Sequence, residues 1–94
     1  MERLKVQAVC GFGVGSSTLL KIKLQKAFKD REVDAEVFTG DVTTATGTAC
    51  DVIFTSRELY DNLASKVKVP VIIIESFVSN AEIGSKVDGF LESR

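Results

Sequence analysis

The chain has no histidine and no tryptophan, one proline, one tyrosine, one methionine and two cysteines among its 94 residues. Without histidine there is no imidazole-based metal site, no Ser-His or Cys-His catalysis, and no phosphohistidine on this chain. A single proline and seven glycines, with 45% apolar and 27% charged residues, do not fit a disordered composition. A formal net charge of −1 gives no general footprint for nucleic acid. No apolar run nears the roughly 18 residues of a membrane span, and Lys5 interrupts the N-terminal one, so neither a membrane helix nor a signal peptide is expected. Two cysteines do not make a disulfide framework. What these absences leave is one small globular domain, residues 1–94, expected in the cytoplasm and not embedded in a membrane.

Cys10 closes an apolar run and is followed by Gly11-Phe12-Gly13-Val14-Gly15-Ser16-Ser17-Thr18. Leu4 to Val9 reads as a strand and the sequence from about Ser17 to Asp30 as a helix, so the glycines fall in a strand-to-helix turn. Such turns gather bare backbone N–H groups around one point, and the helix N-terminus favours negative charge there. Gly11, Gly13 and Gly15 permit close backbone approach, while Ser16, Ser17 and Thr18 supply capping hydroxyls. A thiol in that field titrates below its usual value of about 8.5. The stretch therefore reads as an anion cradle carrying its own nucleophile; the bland alternative is a glycine turn beside an inert buried cysteine. Nucleotide hydrolysis is disfavoured because no lysine lies between Cys10 and Lys21. The cysteine-phosphatase pattern needs an arginine six residues after the cysteine, and Ser16 stands there.

Along the chain, Leu20, Leu24, Ala27 and Phe28 form one helical stripe, with Lys21, Gln25 and Lys29 facing solvent. Leu19 and Ile22 lie off that stripe beside Lys23 and Lys26, either as a docking patch or as part of a broad, half-buried helix face. Val33 to Phe38 alternates like an edge strand, and Thr39 to Ala49, with five threonines and two glycines, reads as a loop or a poor short helix. Asp51 to Phe54 is a short buried strand. Thr55 and Glu58 have capping-box spacing ahead of a stripe of Leu59, Leu63, Ala64 and Val67. Val69 to Ile74 is the last strand, with Pro70 at its start; Ser79 and Glu82 repeat the capping spacing before Ile83, Val87, Phe90 and Leu91. Alternating strands and helices predict an α/β domain, an open four-stranded parallel sheet in order 2-1-3-4 with helices on both faces. Ligands then bind where strand order reverses, beyond the carboxyl ends of strands one and three. The Cys10 stretch is at that point, with Thr55-Ser56 and Glu75-Ser76-Phe77 completing the rim. Cys50, expected at the amino end of strand three, is read as a small core-edge residue out of disulfide reach of Cys10.

Val9 to Ser17, with Lys21 and Lys23 after it, resembles the start of the IIB component of the bacterial sugar phosphotransferase system, most of all the ascorbate-specific type, with lactose/cellobiose, galactitol and mannitol domains as relatives. The resemblance implies a phosphoryl carrier. Cys10 would accept phosphate from a phosphohistidine of the IIA partner and pass it to a sugar, ascorbate, held by the membrane IIC partner. Gly11, Phe12, Gly13, Val14, Gly15, Ser16 and Ser17 would hold the phosphoryl oxygens, and Leu19 and Ile22 would belong to the docking face. No metal or cofactor is expected. The competing readings are a small cysteine phosphatase and a thiol-based anion-binding regulatory module.

Overall fold

The computed structural model describes residues 3–9, 13–40 and 45–93, with the backbone alone for residues 13–17. Its elements are β1 (Leu4–Val9), α1 (Gly13–Asp30), β2 (Ala35–Gly40), β3 (Val52–Thr55), α2 (Arg57–Ala64), β4 (Val71–Ile73) and α3 (Asn80–Ser93). The four strands form one parallel sheet in the order β2-β1-β3-β4. That is the expected topology. Strand β1 lies centrally because it can be covered on both faces: Leu4, Val6 and Ala8 point to one side, Val9 to the other, and all are buried.

On the first side, Leu20, Leu24 and Phe28 of α1 and Ile83, Val87 and Phe90 of α3 close over β1 and β3. Phe28 meets Phe54 edge to face at 6.4 Å between ring centroids. On the second side Leu63 of α2 packs with Val9, Ile53 and Ala45. Gln7 is the polar exception in β1, 1% exposed. Gly40 makes room for it, since a Cβ at that position would sit 2.0 Å from the Gln7 Nε2.

Several expected boundaries move. Helix α1 starts at Gly13 and not near Ser17, because the first-turn N–H groups have no intrahelical partner and glycine there forfeits little. Strand β2 begins at Ala35 and runs through Gly40, two residues later at each end than expected. The cause is the close of α1. Glu32 adopts a left-handed φ of 58°, its N–H donates to Lys29 O at 3.0 Å, and Val33 N–H returns to Phe28 O at 2.9 Å. This double closure consumes Val33 as a helix stop. Strand β4 is confined to Val71–Ile73, and Pro70 sits just before it. Helix α2 ends at Ala64, before Val67, yet Leu59 and Val67 pack with buried Leu63 as expected; of that stripe Ala64 alone is exposed.

Candidate functional site

Strands β1 and β3 end side by side, with Val9 opposite Thr55 in the last pair of their ladder. From β1 the chain crosses to β2 on one side, and β3 flanks it on the other, so strand order reverses here. Open parallel sheets leave a crevice at such a point. Only residues 10–12 separate Val9 from the first residue of α1, Gly13.

The opening of α1 brings four N–H groups without intrahelical acceptors, and its first turn holds no acidic residue. Helices α2 and α3 differ, with Glu58 in the first turn of α2 and Glu82 in that of α3. The positive end of α1 is thus left uncompensated by its own side chains. Of the residues proposed for phosphate, Gly13, Val14, Gly15, Ser16 and Ser17 form the first five positions of this helix by backbone. Cys10, Gly11 and Phe12 lie outside the described residues.

Around this point the rim is held by specific polar contacts. Thr55, wholly buried, donates its Oγ1–H to the carbonyl of Val9 at 2.9 Å, and its own carbonyl accepts from Ile74 N–H at 2.8 Å. It therefore joins β1, β3 and the end of β4. The capping box expected of Thr55 and Glu58 does not form, because Thr55 is still in the strand; Ser56 is the N-cap. The Ser56 side chain makes no capping bond, and its buried Oγ has no hydrogen-bond partner among the described residues.

The Ser79–Glu82 pair forms half of the expected box. Glu82 N–H donates to Ser79 Oγ at 3.2 Å, but the Glu82 carboxylate turns to the loop after β4, accepting from Glu75 N–H at 2.6 Å and Ser76 N–H at 2.9 Å. Glu75 also pairs with Arg57 at the start of α2. The segment Glu75-Ser76-Phe77 is thereby fixed from both sides. Sequence spacing marked Glu82 as a cap; its hold on the loop follows only from where β4 ends.

The two candidate docking residues separate. Ile22 is 56% exposed and Leu19 half-buried. Val78, 68% exposed, had no signal in the sequence. Lys23 Nζ donates to Asn80 Oδ1 at 2.8 Å, which ties α1 beside Ile22 to the chain just after Val78.

Cys50 is half-buried just before β3, at the opposite end of the sheet, with its Sγ 3.7 Å from Gln7 Oε1. Burial pushes its thiol pKa up, and the neighbouring Asp51 charge adds to that. Both effects disfavour the thiolate, the nucleophilic form.

An open parallel sheet with a helix starting at its switch point defines the class, an α/β domain of the kind that takes ligands beyond the carboxyl ends of its strands. The family model described as the PTS system, lactose/cellobiose-specific IIB subunit, matches residues 5–88, and the chain belongs to that family. It is a component of a sugar phosphotransferase system. Among solved structures, the lactose-specific IIB component domain of the phosphoenolpyruvate:carbohydrate phosphotransferase system from Streptococcus pneumoniae matches with a TM-score of 0.68 and 17% identity, over 97% of each chain. At that identity the likeness is one of fold. No curated protein sequence gives a significant match. Among the described residues no helix is long and apolar enough to cross a membrane.

Proposed function

We propose that this chain carries a phosphoryl group on Cys10, between the phosphohistidine of a IIA partner and a sugar held by a membrane IIC partner, and that it works in the cytoplasm. The observation that carries the reading is the family match over residues 5–88 combined with the place of Val9. In the sequence Cys10 is the next residue after that strand end and stands three residues before Gly13, the first residue of α1. In the first step the Cys10 thiolate attacks phosphorus in line; the S–P bond forms, the P–N bond breaks, and the departing imidazole nitrogen keeps its electron pair. In the second step a sugar hydroxyl attacks phosphorus, the S–P bond breaks, the thiolate returns, and the hydroxyl proton passes to the IIC site or solvent. Helix-start N–H groups from Gly13 onward, with Gly11 and Phe12, hold the phosphoryl oxygens through both steps. The histidine-free sequence and the burial of Cys50, which disfavours its thiolate, support Cys10 as the carrier.

The sugar proposed is ascorbate, on the spacing Gly13-Val14-Gly15-Ser16-Ser17. The matched family is described by lactose and cellobiose, so uptake of all three in a strain lacking this protein decides the substrate. Leu19 and Ile22 are proposed as the apolar centre of the surface that receives IIA and IIC, with exposed Ile22 contributing more.

The test is intact-mass spectrometry after incubation with phosphorylated IIA, followed by site mapping. A phosphoryl mass gain on Cys10, lost in Cys10→Ser and kept in Cys50→Ser, is the expected result. A phosphoryl group mapped to Cys50, or normal acceptance by Cys10→Ser, refutes the reading.

A further inference from the structure

Thr55 and Gln7 are the two buried polar side chains among the described residues. A hydroxyl sealed from water is unfavourable unless it is bonded, and valine would fill the same volume in a strand that otherwise reads Val52-Ile53-Phe54. Among the described residues the Thr55 hydroxyl makes one hydrogen bond, the 2.9 Å bond to the Val9 carbonyl. That carbonyl belongs to the peptide unit that joins Val9 to Cys10. A peptide unit is planar, so whatever orients its oxygen also orients the N–H and Cα of the residue that follows. The bond lies at the Val9–Thr55 pair, the last of the β1–β3 ladder among the described residues. The Thr55 backbone is itself anchored, since its carbonyl accepts from Ile74 N–H.

We propose that Thr55 is a positioning residue for Cys10: its buried hydroxyl fixes the plane of the Val9–Cys10 peptide and so the direction from which the thiol meets the phosphoryl group and the N–H groups at the start of α1. The proposal rests on the reading of Cys10 as the phosphoryl carrier. In-line transfer is sensitive to placement, and an ångström of displacement can cost about a hundredfold in rate.

The experiment measures alkylation of each cysteine by iodoacetamide as a function of pH, resolved by peptide mass spectrometry, and the single-turnover rate of transfer from phosphorylated IIA. Thr55→Val and Thr55→Ala remove the hydroxyl; Thr55→Ser keeps it. The expected result is a higher titration midpoint for Cys10 in the valine and alanine variants, with alkylation at neutral pH slower by about tenfold. Transfer at saturating IIA should fall by roughly ten- to a hundredfold with little change in KM, while Thr55→Ser behaves like the parent. Cys50, at the far end of the sheet, serves as the internal reference and should keep its rate. A parent-like Cys10 profile in Thr55→Val overturns the proposal, as does a serine variant as impaired as the valine one, or a Cys50 rate that rises alongside. If Thr55→Val does not fold, the alanine and serine pair decides, and equal Cys10 profiles in those two overturn it. Failure of the carrier reading is distinguished by Cys10→Ser, which would then still accept phosphate while the alkylation profiles stand on their own.

Discussion

Replacing Glu82 by glutamine removes one charge and exchanges one acceptor for a donor, at a side chain that holds two loop N–H groups at 2.6 and 2.9 Å. Glutamine keeps one oxygen, so one of the two bonds survives and the other faces an amide N–H. A hydrogen bond to a charged group is worth about 1.5–3 kcal/mol when sheltered, and the half-buried setting of Glu82 places it at the low end. Loss of the carboxylate from the first turn of α3 adds about 0.3–1 kcal/mol through the helix dipole. The expected cost is about 2 kcal/mol, and a domain of this size loses roughly 4–8 °C in Tm for each kcal/mol. Glu58 is the control. It has the same spacing from Thr55 and also sits in a first helical turn, yet it is exposed and makes no side-chain hydrogen bond or ion pair among the described residues, so Glu58→Gln should cost about 0.3 kcal/mol. Urea unfolding of the two variants side by side measures the difference. Equal costs would refute the claim that the carboxylate of Glu82 holds the loop, and would leave only the generic effect of a negative charge at a helix start. Because the loop forms part of the rim, Glu82→Gln should also slow transfer from phosphorylated IIA at temperatures where it is fully folded, whereas Glu58→Gln should not.

Gly40→Ala places a methyl group 2.0 Å from Gln7 Nε2, and Gln7 is too buried to swing aside, so a loss of about 1–3 kcal/mol is expected. In a double-mutant cycle with Gln7→Ala the combined cost should fall well below the sum, and simple additivity would show that the close approach is not the cause. Glu32→Gly relieves a left-handed residue at the close of α1 and should raise the unfolding free energy by up to about 1 kcal/mol, read as a higher urea midpoint; a lowered midpoint would contradict this account of the helix stop. The Asp88 carboxyl is held below the usual carboxylate range by its hydrogen bonds from Arg31, which also donates to the carbonyls of Ala27 and Gly84. A depressed folded pKa stabilises above the ordinary value near ~3.9 and is lost as pH falls through the folded one. The stability gap between the parent and Asp88→Asn should therefore be full at pH 7 and shrink in acid, and a pH-independent gap would contradict the linkage.

The sequence alone determined the topology. The largely apolar stretches Leu4–Val9, broken by Lys5 and Gln7, and Val52–Phe54 call for cover on both faces, and helical stripes between them force parallel crossovers, so the order β2-β1-β3-β4 was legible. Local pattern suffices there because burial has the period of the element itself. The Cys10 stretch stands out in the sequence as a candidate site, since an absence of histidine and a cluster of glycines and hydroxyls are properties of composition and spacing; its first three residues lie outside the described ones. The boundaries were less so. Glycine reads as loop in isolation, yet Gly13 and Gly15 begin α1, because a helix start needs no N–H acceptors within the helix. Two Ser/Thr-x-x-Glu spacings looked alike, and tertiary structure separated them: Thr55 remained in β3 with its hydroxyl on Val9, while Glu82 faced the end of β4 and took the loop N–H groups. Gln7 under Gly40, Lys23 on Asn80 and Arg31 on Asp88 join residues 33 to 57 positions apart. Such pairs have no period to betray them. They exist because the sheet brings distant strand ends and helix faces within hydrogen-bonding distance, and only the packed chain decides which donor finds which acceptor.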